Sequence, residues 1–380
     1  MAFSTSSATN RHLLHRLITI RTFVDAKVKW VRDPYLDTAV QKEKNLKPLL
    51  SLKTLILSQP SKTLPISAAA AHKQHLNLPT TALKFVQMYP SIFQVIQPTK
   101  PLSLPHVKLT PQALTVHKEE TQVLKSSIHR KDAAERLAKL LMLTRARRLP
   151  LGVIDKFKFD LGLPHNYILN LLSDFPDYFQ ICSMNCKDSN GCEVLALELI
   201  SWRDELAVSA MEKREMGMNV SHERKRGRPI AFPMRLPNGF DLEKKVKNWV
   251  DEWQKLPYIS PYEDGFHLSP NSDQAEKWTV AVLHELLHLL VSKKTEKENV
   301  FCLGDHLGFG VRFKKALVHH PGIFYVSNKN STQTVVLRES YRKDFLVEKH
   351  PMMGMRHRYI YLMNKPVKRS KSDRGRMDEH

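Results

Sequence analysis

LGLPHNYILNLLSDFPDYFQI, from Leu161 to Ile181, decides how the chain is read, because two other stretches repeat its pattern. Upstream, LNLPTTALKFVQMYPSIFQVI runs from Leu76 to Ile96; downstream, LGFGVRFKKALVHHPGIFYVS runs from Leu307 to Ser327. Each opens on a break (Pro79, Pro164, Gly310) and continues as an amphipathic helix of about three turns. Each then meets a proline (Pro90, Pro176, Pro321) and, three residues on, a phenylalanine (Phe93, Phe179, Phe324). A proline in a helix's first turn loses no hydrogen bond, whereas the second proline ends the helix and drives its predecessor into extended backbone. The β-branched and aromatic residues that follow predict a strand. Turns at Pro98–Pro101, Lys187–Gly191 and Asn328–Ser331 then lead to second strands at His106–Thr110, Glu193–Leu199 and Thr334–Arg338. With a helix before each break, such as Gly152–Leu161, every copy reads helix, tight turn, helix, β-hairpin, the outline of a winged helix.

The fold class expected is therefore α+β, predominantly helical, with three helix-turn-helix plus β-hairpin repeats at about 62–128, 132–207 and 273–350. The interval from Pro176 to Pro321 is much longer than that from Pro90 to Pro176, and the excess lies between residues 208 and 263. This insertion carries Leu242, Val246, Trp249, Val250 and Trp253 on one helical face, followed by the proline-punctuated turn Leu256–Asp264. Residues 351–380 read as a basic, disordered tail; Lys365, Lys368, Arg369, Lys371, Arg374 and Arg376 supply its charge.

Residues 1–24 hold no Asp or Glu, but they hold Arg11, Arg16 and Arg21, seven hydroxyl side chains, and Leu13, Leu17 and Ile20 at helical spacing. That composition predicts an organellar transit peptide over about residues 1–26, and its arginines favour the mitochondrion over the chloroplast. The chain has 380 residues, 42% of them hydrophobic, so it can bury a core. Its formal charge is +21 and its pI about 9.7, and the leader accounts for only a small part of that surplus. So basic a body calls for a polyanionic partner. No apolar run reaches the roughly 18 residues of a membrane span, so insertion into a bilayer is not expected. Four cysteines (Cys182, Cys186, Cys192, Cys302) make no disulfide framework in a chain of this length.

Two short motifs point elsewhere. His284-Glu285-Leu286-Leu287-His288 fits H-E-x-x-H, in which two histidines one helical turn apart can hold zinc beside a glutamate base. No third ligand follows at the usual spacing, which makes zinc-dependent hydrolysis a remote alternative. Arg224, Lys225, Arg226 and Arg228, with Gly227 and Pro229, resemble an AT-hook, the alternative of an organellar DNA binder. No glycine-rich phosphate loop and no G-x-S-x-G elbow is present, and neither cofactor nor catalytic residues are expected.

Basic residues interleaved with aromatics are the positive signal. Arg145, Arg147 and Arg148 close the helix that begins near Asp132; Lys156 and Lys158 flank Phe157; Arg312, Lys314 and Lys315 surround Phe313. Together with the four AT-hook-like residues, these are the candidate RNA contacts: cations for phosphates and 2′-hydroxyls, rings for unpaired bases.

The motifs LLMLTRARRLP (Leu140–Pro150), LGLP (Leu161–Pro164), LPYISPYED (Leu256–Asp264), VLHELL (Val282–Leu287), PGIFYVS (Pro321–Ser327) and Leu337-Arg338-Glu339 resemble, in this order, the plant organelle RNA recognition (PORR) family. The likeness runs from about Lys27 to His350. It implies a nuclear-encoded plant protein that enters an organelle, binds intron-containing RNA and supports group II intron splicing, with other splicing factors as companions in a ribonucleoprotein. It also implies that the His284-Glu285 pair belongs to the family's helix and not to a protease; the family offers no catalytic set to carry over.

Overall fold

The computed structural model describes residues 30–97, 105–187, 191–218, 227–236, 243–330 and 332–365. The expected leader, Arg224, Lys225, Arg226, Leu242 and the tail beyond residue 365 lie outside the described residues. Helices α1 (Pro34–Gln41) and α2 (Leu46–Ser58) precede β1 (Thr63–Pro65), α3 (Ile66–Ala71), α4 (Ala82–Met88) and the pair β2 (Phe93–Ile96) and β3 (His106–Leu109). Then come α5 (Pro111–Lys125), α6 (Ser127–Met142), β4 (Arg148–Pro150), α7 (Leu151–Phe157), α8 (Tyr167–Asn170), β5 (Phe179–Lys187) and β6 (Glu193–Leu199). The insertion supplies α9 (Ala210–Met218) and α10 (Lys244–Gln254). Next are α11 (Asp273–Leu289), β7 (Lys294–Glu296), α12 (Lys297–His306), α13 (Val311–His319), β8 (Phe324–Ser327) and β9 (Thr334–Leu337). A short hairpin then leads to the last helix, α14 (Pro351–Asn364).

The chain is thus mixed helix and strand, and the same unit recurs: helix, short strand, two helices, two strands. In each copy the three strands form an antiparallel sheet with the last strand in the centre: β1-β3-β2, β4-β6-β5 and β7-β9-β8. Register is shared too, since Phe93, Phe179 and Phe324 face Leu109, Leu199 and Leu337 across their hairpins. All six side chains are buried. The first strand of each sheet is missing from the sequence-based expectation. With three residues apiece, these strands are too short for periodicity to reveal.

One backbone device sets the turn between the two short helices of every copy. Asn77, Gly162 and Gly308 take φ of 52°, 69° and 77°, the left-handed region open to glycine and, at lower cost than for other side chains, to asparagine. The next amides, of Leu78, Leu163 and Phe309, donate to the carbonyls of Lys73, Lys158 and Gly304 at 3.1, 2.9 and 2.8 Å. This bond, paired with that from the left-handed residue to the carbonyl three back, is a Schellman closure, which satisfies the helix's last carbonyls. In the second copy α7 ends at Phe157, short of the expected Leu161. The following helix there is a single turn, Tyr167–Asn170, continued by a 3-10 turn at Leu172–Asp174, shorter than expected.

The chain divides into two compact units. The larger takes residues up to Asp37 and Ala133–Phe345, and so holds the second and third copies with the insertion. Its core joins Leu137, Leu141, Ile154, Phe157, Leu197, Trp253, Trp278, Leu283, Leu286, Phe313 and Phe324. On α10, Val246, Trp249, Val250 and Trp253 are buried, as the spacing predicts. The smaller unit takes Thr38–Asp132 and the chain from Leu346, and so holds the first copy. Here the expectation of a disordered tail from residue 351 is corrected. Pro351–Asn364 is helical, its N-terminus capped by His350, and Met352, Met353, Tyr359, Ile360 and Leu362 are buried. Its Tyr359 hydroxyl donates to Glu120 of α5 at 2.9 Å, beside the ammonium of Lys53, all three buried. The overall basicity of the region hides this apolar stripe.

A paired substitution tests the packing. A Cβ on Gly265 would come under 3.0 Å from the Trp278 ring, which is held between Phe266 and Phe309 at centroid distances of 5.0 and 4.9 Å. Gly265→Ala should cost about 1–3 kcal/mol in urea unfolding. Gly152→Ala, in α7 with nothing within 4 Å, should instead stabilise by about 0.5–1 kcal/mol.

Candidate nucleic-acid interface

The expected contacts fall into distinct places in the larger unit. Arg145, Arg147 and Arg148 are exposed on the turn from α6 into β4. Arg147 takes a left-handed φ of 52°, as do its repeat equivalents Lys62 (54°) and Lys293 (52°), so each copy sets a basic residue in this strained position before its first strand. The Arg145 guanidinium lies 5.4 Å from the Phe266 ring centroid and that of Arg147 lies 5.3 Å from Trp202. Both are held as cation–π pairs with their outer edges open to solvent. Arg148 is registered opposite Glu198 on the sheet.

A second group gathers around α12. Lys156 of α7 is exposed and reaches within 3.4 Å of Cys302 Sγ. Lys314 of α13 sits 5.1 Å from the Phe301 ring, and Lys297 sits 5.3 Å from the same ring. Phe266, under Arg145, also abuts Gly308 at the entrance to α13. Side chains from two repeats thus meet along one helix. Lys315 is exposed on α13, Arg312 half-buried beside it, and Lys158 pairs with Asp155 at 3.5 Å. Phe157 and Phe313 are fully buried, with Phe313 stacked on Phe309 at 5.0 Å, so neither can stack on a base. This corrects the expectation for those rings: Phe157 has Val153 and Ile154 one turn before it and Phe313 has Ala316 and Leu317 one turn after it, which marks the core face. Lys297 and Phe301, one helical turn apart, escaped the sequence reading although their spacing signals a pair.

Of the AT-hook-like basic residues, Arg228 alone is described. It is exposed, and its carbonyl accepts the Tyr258 N–H at 3.0 Å, which ties this part of the insertion to the turn after α10.

The H-E-x-x-H helix has a different use. Glu285 is 1% exposed and accepts from the Tyr262 hydroxyl at 2.7 Å and the Ala210 N–H at 2.7 Å, while pairing with Lys139 at 2.7 Å. Burial pushes its carboxyl up, but Lys139 and these donors outweigh burial and hold it below the usual range. A carboxylate so occupied cannot activate water. His284 Nε2 is 2.9 Å from Glu339, which also takes both guanidinium nitrogens of Arg214 at 2.8 and 2.9 Å. The motif is therefore a buried polar junction between repeats and insertion, and the zinc-hydrolase alternative fails on it.

Among the described residues one cluster has the spacing of metal ligands: His129, Asp132 and His350 in the smaller unit, with ligand atoms within 4.8 Å of one another. His350 Nδ1 accepts the Met352 N–H at 3.2 Å as the cap of the last helix. A neutral imidazole has one lone-pair nitrogen, so Nε2 carries the proton and faces Asp132 at 3.3 Å as a donor. The chemistry is that of a cap and a hydrogen bond. None of the four cysteines, all among the described residues, is in a disulfide. No helix among the described residues is long and apolar enough to cross a membrane.

Fold and surface together define a basic protein built from helix–strand repeats, with guanidinium and ammonium groups displayed over aromatic rings. The model of the plant organelle RNA recognition domain matches residues 31–368, and the chain belongs to that family. It is 37% identical over 349 residues to the protein What's This Factor 9, mitochondrial, of Arabidopsis thaliana, covering 90% of this chain and 86% of that one. It is 30% identical over 348 residues to What's This Factor 1, chloroplastic, of Zea mays, covering 90% and 68%. It is 29% identical over 368 residues to Root Primordium Defective 1 of Arabidopsis thaliana, covering 93% and 87%. No solved structure matches. The expected organellar address, mitochondrion with chloroplast as alternative, agrees with these designations.

Two measurements test the junction. Glu285→Gln keeps the shape but leaves the Lys139 ammonium buried without its counter-charge, and should destabilise by about 3–5 kcal/mol in denaturant unfolding. A spare catalytic glutamate would leave stability unchanged. Secondly, burial pushes the carboxyls of Glu120, Glu276 and Glu339 up, but hydrogen bonds outweigh it and bring each from 4.5 to about 2. Those bonds come from His117, Lys53 and Tyr359 to Glu120, from His319 and His320 to Glu276, and from His284 and Arg214 to Glu339. The unfolded chain therefore binds these protons more tightly, so their stabilisation is complete above about pH 4.5 and is lost as pH falls toward 2. Urea midpoints should drop steeply over that window and less steeply in Glu339→Gln; a flat profile from pH 5 to 3 would refute the assignment.

Proposed function

We propose that this protein binds intron-containing RNA in the mitochondrion and promotes splicing of group II introns, without catalytic chemistry of its own. The observation that carries this reading is the charge of +21 in a family described by RNA recognition, with Lys156, Lys297 and Lys314 gathered around α12 and Arg145 exposed on the turn from α6 into β4. The mitochondrial name of the 37% identical relative and the arginine-rich, acid-free first 24 residues support the address.

Each repeat adds a three-stranded sheet to a pair of short helices, which favours the winged-helix reading, with α4, α8 and α13 as the helices offered to nucleic acid. Duplex RNA has a major groove too deep and narrow for side chains, so a basic surface of this kind engages phosphates, 2′-hydroxyls and unpaired bases. Group II introns carry their own catalytic RNA. A protein that binds the folded intron more tightly than the unfolded one shifts the folding equilibrium by that difference in affinity and needs no active site. Other splicing factors would join on the surfaces the RNA leaves uncovered.

Charge reversal of Arg145, Arg147 and Arg148 should weaken intron RNA binding broadly across sequences. It should also lower the slope of log affinity against log salt by about 2, near 0.7–0.9 for each phosphate no longer neutralised. Filter binding over a salt series reads both. An unchanged slope would move the interface elsewhere, and preference for A·T-rich duplex DNA over intron RNA would favour the AT-hook-like segment instead.

A further inference from the structure

The first and third repeats carry a groove at the same place, between the C-terminal half of the second short helix and the strand that follows its proline. In the first it measures about 400 Å³ and is lined by Val86, Gln87, Pro90, Phe93, Gln94, Val95 and Thr110. In the third it measures about 510 Å³, and Leu317, Val318, Pro321, Phe324, Tyr325 and Val326 stand at the corresponding positions. Counting from the shared prolines and first strands, Tyr325 replaces Gln94, Arg338 replaces Thr110, Lys314 replaces Leu83 and Phe301 replaces Ala70. The neutral groove of one repeat is aromatic and cationic in the other.

The details of the third groove fit one kind of occupant. Trp30, half exposed, stacks on Tyr325 with centroids 6.0 Å apart and planes 15° from parallel. Tyr325 is fixed from behind: its hydroxyl donates to Asp37 at 2.9 Å, and the Arg338 guanidinium lies 4.8 Å from its ring. Arg338 is pinned in turn by Asp33 at 2.7 Å. Two ammonium groups, of Lys297 and Lys314, flank the Phe301 ring. Among the described residues no carboxylate lines the groove, and the exposed amides of Asn328 and Gln333 close one end, where Gln333 donates to Asn328 at 2.8 Å and accepts from the Lys297 ammonium. An apolar peptide would bring no counter-charge to the ammoniums, and a duplex has no free base face to offer.

We propose that this groove holds an unpaired nucleotide of single-stranded RNA, its base stacked on the Trp30 and Phe301 side chains and its flanking phosphates on Lys297 and Lys314. The proposal rests on the RNA-binding reading above and specifies which part of the RNA the third repeat takes. Stacking on an aromatic side chain tolerates every base, so the groove selects single-strandedness and not sequence.

The test uses the full chain, a short unstructured RNA oligonucleotide and a duplex RNA of the same length. Trp30→Ala and Phe301→Leu should each weaken the single strand about tenfold and the duplex by much less, and Phe301→Tyr should retain wild-type affinity. A photoreactive uridine in the single strand should crosslink within residues 30–37 or 297–338. Thermal melting confirms that each variant is folded, and Trp30→Ala, at a half-exposed side chain, keeps the test decisive if Phe301→Leu unfolds. Equal affinity of wild type, Trp30→Ala and Phe301→Leu for the single strand would overturn the groove while leaving RNA binding intact. Failure of the wild type to bind either RNA would remove the underlying reading as well. A dimer in sedimentation that Trp30→Ala dissociates, with RNA affinity unchanged, would assign the groove to a second copy and overturn the proposal.

Discussion

A single carboxylate, that of Glu285, organises the larger unit. Transferring a charge into the interior costs several kcal/mol, and only close partners offset it. Glu285 draws those partners from three separate parts of the chain: Lys139 from the helix that opens the second repeat, Ala210 N–H from the start of α9, and Tyr262 from the turn after α10. Apolar contacts could slide; a buried ion pair with directed donors cannot. The neighbouring His284–Glu339–Arg214 cluster adds the turn after β9 and the middle of α9 to the same junction. Two repeats and the insertion are held in one register by a few atoms on one face of α11.

That junction explains why a segment that looks enzymatic is not used so. The H-E-x-x-H spacing places two histidines and a glutamate on one side of a helix, and such a face can either hold a metal or fasten neighbouring elements. Sequence cannot choose, because the choice depends on what arrives from elsewhere in the chain. Here Lys139 and Glu339 arrive, both distant in sequence from the motif. The helix itself, by contrast, is legible from its apolar arc at Trp278, Val282, Leu286 and Leu289, all buried.

The same division runs through the rest of the molecule. The repeat can be read because each copy depends on features that sequence displays directly: a residue tolerant of left-handed backbone, a helix-ending proline and a phenylalanine opposite a leucine. The face of α10 can be read because Val246, Trp249, Val250 and Trp253 repeat at helical spacing. The three-residue strands cannot, since each draws its stability from pairing with a distant partner and carries too few residues to show an alternation. The last helix is obscured because net charge masks periodicity; Met352, Tyr359 and Ile360 lie among basic residues that dominate the composition. Of the basic candidates, the arginines after α6 and Lys156, Lys314 and Lys315 are exposed as expected, whereas the rings of Phe157 and Phe313 turn inward.

The contrast between the first and third repeats carries the functional logic furthest. A groove at the same place in two copies belongs to the backbone they share, where a short helix meets a proline and a strand. What differs is the side chains that scaffold displays. Tyr325 and Arg338 are both buried and both tied to acids near the start of the chain, so their positions are fixed before any ligand arrives. Holding them costs desolvation, which burial makes evident by lowering the basicity of Arg338 and raising the Tyr325 hydroxyl to about 12. Gln94 and Thr110 serve the first repeat at those positions without that cost. A rigid aromatic and cationic floor, kept in one copy and absent from another with the same backbone, is the signature of a surface shaped for binding, because preorganised groups lose less entropy when a ligand settles on them.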